Sequence, residues 1–232
     1  MYSLNTLALD CNRQIKINFD GGDLSSDAGL LLVKEFAAKL GFTKLIKNIF
    51  KTNDKAARFH KDNENLMQMI YQIIASYFED DCADELTNDP VFNAILDKDG
   101  LASQPTLSRF FNRMDEDTLD QFNNIDKSLR DIVYSVKRPE HILLDLDSTL
   151  FNTYGHQEGE GFNFHYQAHG YHPLLCYDGL TGDLLKAELR DGTLHCSNDA
   201  DKLMEPILQE YLNREIKTYL RGDSVFFYTK AI

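Results

Sequence analysis

The chain has 232 residues, 43% hydrophobic and 11% aromatic, with a formal net charge of −13. That length suffices for one large domain or two small ones, and no apolar run is long enough to span a membrane. The negative balance argues against a surface that coats DNA broadly, while leaving room for a local basic groove.

The start, Met1-Tyr2-Ser3-Leu4-Asn5-Thr6, lacks the basic and apolar regions of a signal peptide. Cys11, Cys82, Cys176 and Cys196 are scattered without a C-x-x-C pair. A reducing cytoplasm is therefore expected, with neither a disulfide framework nor a zinc ribbon. Residues 14–20 alternate apolar and polar side chains and read as a half-buried strand within an N-terminal arm, 1–23. Gly21-Gly22 ends it. Ser25-Ser26-Asp27 offers N-cap chemistry to a helix carrying Leu30, Leu31, Val33, Phe36, Ala37 and Leu40, with Gly41 as its stop. A shorter helix is expected over 44–50 and a longer one over 63–78. The stripe of the longer helix is Leu66, Ile70, Ile73, Ile74 and Tyr77, widened by Met67, Met69 and Tyr71, which suits a helix buried among helices. Residues 79–99 carry eight acids against Lys98 alone and read as a solvated face.

In Ser103-Gln104-Pro105-Thr106-Leu107-Ser108-Arg109-Phe110-Phe111-Asn112-Arg113, Ser103 reads as an N-cap with Pro105 in the first turn. Thr106, Ser108, Arg109 and Arg113 put hydroxyls and guanidinium groups on one side, and Leu107, Phe110 and Phe111 anchor the other. This is either the second helix of a helix-turn-helix, touching DNA, or an ordinary capped helix in a bundle. Another helix is expected over 117–136. Val136-Lys137-Arg138-Pro139-Glu140 is the boundary between a helical domain, 24–137, suited to DNA binding or dimerisation, and a strand-rich domain, 138–232.

The second domain opens on His141-Ile142-Leu143-Leu144-Asp145-Leu146-Asp147-Ser148-Thr149-Leu150, a buried strand ending in two carboxylates. In a strand Asp145 and Asp147 share a face. Like charges so close need a cation or proton between them, unless both cap the next turn. A Gly-rich loop over 154–161 follows, then a strand over 171–177 whose Pro173 favours a strand start or edge. The turn at 178–183 and a strand over 184–189 complete a hairpin. A helix over 198–212, with Leu203, Ile207, Leu208 and Tyr211 facing a core, leads to a fourth strand over 216–223 and a further helix from Ser224. The helix crossover suits a fourth strand parallel to the first; as neighbours the strands lie about 4.8 Å apart, which lets Asp147 and Asp223 share divalent cations. Two-metal phosphoryl-transfer sites want ions about 3.5–4 Å apart, and Mg2+ suits carboxylate and water ligands. His156, His165, His169 and His172 cluster in a glycine-rich loop. They offer a zinc site, contact with phosphate, or neither.

Several segments together resemble one subgroup of the DDE transposases of bacterial insertion sequences: Asp145-Leu146-Asp147-Ser148-Thr149, Tyr154-Gly155-His156-Gln157, Gly170-Tyr171-His172-Pro173-Leu174-Leu175 and Arg221-Gly222-Asp223-Ser224. Leu24-Ser25-Ser26-Asp27-Ala28-Gly29 and Ser103-Gln104-Pro105-Thr106-Leu107-Ser108-Arg109 extend the likeness through the helical half. The resemblance implies an α+β chain: a helical domain, then an incomplete ribonuclease-H-like domain with strands one to three antiparallel and strand four parallel to strand one. It implies cut-and-paste transposition with Mg2+ or Mn2+, in which Asp147 and Asp223 are the first two acids of a triad and Asp145 a supporting metal ligand. Its partners would be element-end and target DNA, and a second copy of the chain, with no membrane. Thr106, Ser108, Arg109, Arg113, His172 and Arg221 are the candidate DNA contacts. The third acid, a glutamate after a fifth strand, is expected beyond Asp223. Glu188 and Glu205 do not occupy its place, so the chain is expected to be a truncated and catalytically incomplete N-terminal part.

Two alternatives remain. Asp145-Leu146-Asp147-Ser148-Thr149-Leu150 also resembles the first motif of haloacid-dehalogenase phosphatases, with Asp145 as nucleophile and Asp147 as general acid/base. Against it stand the helical domain in front, the hairpin that follows and Phe227 where a late acid is expected. The other alternative is a non-catalytic DNA-binding inhibitor of transposition.

Overall fold

The structure, a computed structural model, describes residues 6–19, 21, 25–223 and 226. Asp20, Gly22, Leu24, Ser224, Phe227 and the helix expected from Ser224 lie outside the described residues. Packing divides the chain into two units, Met1–Ser128 and Leu129–Ile232. Among the described residues no helix is long and apolar enough to cross a membrane.

The first unit opens with an antiparallel pair, β1 (Thr6–Ala8) and β2 (Lys16–Asn18). Helices follow: α1 (Leu30–Lys39), α2 (Phe42–Ile49), α3 (Asp62–Ile74), α4 (Cys82–Leu86), α5 (Pro90–Leu96), α6 (Gln104–Phe111) and α7 (Glu116–Val136). Helix α1 starts later than Ser25-Ser26-Asp27 suggests. Those residues form a turn in which the Ser25 hydroxyl accepts from the Asp27 N–H at 3.2 Å, and the N-cap is Gly29, which has no side chain to cap with. Phe36, expected inside, is exposed. Lys34 is inside instead, its ammonium donating to the Ala94 carbonyl at 2.7 Å and pairing with Asp97 at 2.6 Å.

Helix α3 buries only part of its expected stripe. Leu66, Met67 and Tyr71 are buried beside Asn65, Gln68 and Gln72, while Ile73 and Ile74 are half exposed. The cause is Gln68, whose amide donates to the Ala102 carbonyl at 2.9 Å and accepts from the Ala102 N–H at 2.8 Å. A side-chain amide that pairs both backbone polar groups of a buried residue can replace a hydrophobe there. Helix α5 is capped by Asp89, which accepts from Val91 N–H at 2.8 Å and Phe92 N–H at 3.0 Å ahead of Pro90.

The second unit includes the last turns of α7, because Tyr134 packs on its core and its hydroxyl lies 3.0 Å from that of Tyr211. Its strands are β3 (His141–Ser148), β4 (Phe151–Asn152), β5 (Gly161–Asn163), β6 (Ala168–Tyr171), β7 (Leu174–Asp178), β8 (Leu184–Glu188) and β9 (Lys217–Gly222), with α8 (Ala200–Asn213) before β9. Four of them form a mixed sheet in the order β8-β7-β3-β9, with β3 antiparallel to β7 and parallel to β9. Helix and strand with a mixed sheet make the chain α+β. Ile142, Leu144 and Leu146 bury one face of β3 against Leu203, Met204, Ile207 and Tyr211 of α8. Leu208, expected in that core, is exposed instead.

The strand expected over 171–177 is two strands. His172-Pro173 breaks it, since proline cannot donate to a ladder, and β6 belongs to a separate three-stranded sheet, β4-β6-β5. Part of the loop expected over 154–161 and the residues after it build that sheet. Gly170 and Gly192 permit it: a Cβ on Gly170 would lie 2.2 Å from the Phe151 carbonyl oxygen, and one on Gly192 2.0 Å from that of Gly170.

Candidate functional site

Alternation along β3 sends Ile142, Leu144 and Leu146 into the core and Asp145 and Asp147 to the opposite face. The parallel register sets Asp145 beside Arg221 and Leu146 beside Gly222. Carried one residue further, it sets Asp147 beside Asp223. Both carboxylates line a cavity of about 260 Å³. The Asp147 carboxylate accepts from its neighbour Ser148 N–H at 2.8 Å.

The two acids of β3 have different surroundings. Asp145 is held by a two-pronged ion pair with Arg221, whose Nε donates to Oδ1 at 2.9 Å and whose Nη2 donates to Oδ2. Those hydrogen bonds hold the Asp145 carboxyl below the usual carboxylate range. Arg221 thereby spends its fork on Asp145.

The cavity takes further side chains from the three-stranded sheet and from the segment after β8: Asn163, His165, His172, His195 and Cys196. His172 is buried, and its Nδ1 lies 2.8 Å from the Leu194 carbonyl. A carbonyl only accepts, so Nδ1 carries the proton and Nε2 is the free nitrogen of the neutral ring. His156 and His169 are elsewhere, on either side of Glu160, with Nδ1 atoms 3.8 Å and 3.1 Å from its oxygens. The four-histidine cluster read from the sequence is thus divided between two places.

The sequence reading missed Asn163, His195, Cys196 and Arg190. The buried Arg190 guanidinium supports the turn behind the cavity by donating to the carbonyls of His172 at 3.0 Å and Asn198 at 2.5 Å. Burial pushes its pKa down. The turn signal Asp191-Gly192-Thr193 and the adjacent His195-Cys196 pair were the available hints, and neither has a period.

Among the described residues no group of three or more His, Cys, Asp or Glu side chains is gathered so as to hold a metal ion. The Asp147–Asp223 pair supplies hard oxygen donors of the kind Mg2+ and Mn2+ prefer, and so fits part of a divalent site. In the helical unit, Arg109 is exposed, while Thr106 and Ser108 are half-buried. The Arg113 Nη2 donates to Asp62 at 2.6 Å, and its Nε lies 3.6 Å from Asp54.

Comparison with curated proteins found no match, and comparison with solved structures found none. A family model, described as transposase DDE domain group 1, matches residues 7–232. With almost the whole chain spanned by that match, the protein belongs to the DDE transposase family of insertion-sequence type.

Proposed function

We propose that the cavity at the ends of β3 and β9 is a phosphodiester-processing site of a cut-and-paste transposase, with Asp147 and Asp223 as its carboxylates. The observation that carries this reading is the parallel register that brings both acids to one cavity. Transposases act on DNA and this family generally uses divalent metal ions, which supports DNA as the partner and a metal as the cofactor. The strand order supports a ribonuclease-H-like arrangement. Asp147 and Asp223 would hold Mg2+ or Mn2+, which when bound supplies Lewis-acid polarisation of a phosphoryl oxygen and lowers the pKa of a water. His172 would orient a phosphate through Nε2 only as the imidazolium, in which both ring nitrogens donate. Asp145 serves to hold Arg221, which we read as a positioning pair rather than a ligand and a DNA contact.

In the helical domain, Arg109 with Thr106 and Ser108 would contact the DNA backbone, and Arg113 would brace that helix through Asp62. A homodimer that pairs two element ends belongs to the same reading. Among the described residues two carboxylates line the cavity, one fewer than the family's triad, so we expect them alone to bind metal weakly and not to complete strand transfer without a third.

The test is Mn2+ binding by calorimetry on the chain, with DNA-end cleavage assayed in parallel. Asp147→Asn and Asp223→Asn should each weaken Mn2+ binding about tenfold or more, the loss of roughly 1.4 kcal/mol expected when a nearby opposite charge is removed. Unchanged binding in both variants would overturn the assignment. Asp145→Asn should weaken it less. Phosphatase chemistry at Asp145 would show as aryl-phosphate hydrolysis lost in Asp145→Asn but kept in Asp223→Asn. Binding of element-end DNA with no metal-dependent cleavage would instead favour an inhibitor of transposition.

A further inference from the structure

Phe164 is 84% exposed, yet it lines the same cavity as Asp147 and Asp223. Here the backbone around it is fixed. The Asn163 side chain is buried, its Oδ1 accepting from His165 N–H at 3.0 Å and Tyr166 N–H at 3.2 Å, and its Nδ2 donating to the Gly192 carbonyl at 2.8 Å. That side chain closes a turn and ties it to the next segment of the chain.

The rings are braced as well. Phe162 meets Phe164 edge-on at 5.2 Å and is itself packed against His169 at 5.3 Å. Tyr166, 42% exposed, packs edge-on against His165 at 4.8 Å and His172 at 5.9 Å, and its hydroxyl donates to the Ser148 carbonyl at 3.4 Å. Two braced aromatic rings thus line a cavity whose wall also carries two carboxylates.

We propose that Phe164 and Tyr166 form a stacking site for an unpaired nucleobase of the DNA strand whose phosphodiester enters the cavity. This rests on the reading of the cavity as a DNA-processing site. Stacking suits an acidic chain, because it draws on the π-face that every base has and needs no basic surface. The braced turn means that little side-chain freedom is lost on binding, which favours affinity.

The experiment uses the chain with a short single-stranded oligonucleotide carrying one 2-aminopurine, in the presence of Mn2+. Affinity is read by anisotropy and stacking by quenching of the aminopurine. Quenching by the parent protein is expected. Phe164→Leu and Tyr166→Leu keep apolar bulk but remove the ring; each should lose the quenching and weaken binding about 5- to 100-fold. Phe164→Trp should retain both, and unchanged thermal melting of the leucine variants separates stacking from a folding defect. If the parent binds the oligonucleotide while the aminopurine stays bright, or the leucine variants bind as tightly as the parent, the stacking site is overturned and the DNA reading stands. If the parent binds no oligonucleotide at all, both are overturned.

Discussion

At Asp145 the Arg221 fork favours the ionised carboxyl, and this has a consequence for acid stability. A carboxyl whose folded-state pKa is depressed stabilises the fold above its unfolded value, about 3.9, and loses that contribution as pH falls through the folded value. Arg221→Gln should therefore lower the urea midpoint at neutral pH, with the gap to the parent closing below about pH 4. Equal midpoints at neutral pH would show that the pair contributes nothing. The effect is expected to be modest because both side chains are partly in water. In the sequence Asp145 and Asp147 are alike, two acids on one face of one strand. What separates them is a partner 76 residues away, and no local pattern reports such a partner. Arg113 gives the same lesson: its spacing from Arg109 suggested DNA, but it lies just past α6, and its carboxylate partners are Asp54 and Asp62.

Among the elements, β3 was easy to read because its apolar run is long and bounded by Pro139. The helices around Leu107 and Leu203 were legible from their stripes, though Phe111 and Leu208, read as inward, are exposed. Helix α3 was located well, but Ile73 and Ile74 were wrongly placed inward, because an inward amide such as Gln68, paired with the Ala102 backbone, looks polar to any hydrophobic period. The three-stranded sheet was invisible for a simpler reason. Its strands are two, three and four residues long, too short to show a period of two. What holds them close is the absence of side chains at Gly170 and Gly192. Gly192→Ala would place a methyl 2.0 Å from one carbonyl oxygen and 2.5 Å from another, both main-chain atoms that cannot swing away. It should destabilise the second unit by about 1–3 kcal/mol or more, the range for forced overpacking. Denaturant unfolding followed by near-ultraviolet circular dichroism would measure it; a parent-like midpoint would mean that the two segments separate at no cost.

At the scale of the whole molecule, a net charge of −13 opposes any approach to DNA. In the proposed reading, Asp147 and Asp223 add to that repulsion where a phosphate would come closest. Without divalent metal, the double variant Asp147→Asn/Asp223→Asn should bind DNA more tightly than the parent, by several-fold, since one unit charge at contact distance in water is worth about 1 kcal/mol. Anisotropy in EDTA would show it, and weaker or equal binding by the variant would mean that phosphate does not reach these acids. With Mn2+ the order should reverse. The join between β6 and β7 adds a mechanical point. The three-stranded sheet that carries the aromatic lip passes through His172-Pro173 directly into β7, whose Leu175 pairs with Asp147. Lip and acid strand therefore form one short cantilever. If an ion at Asp147 and a base on the lip each bias this join, linkage requires each to change the other's affinity by the same factor.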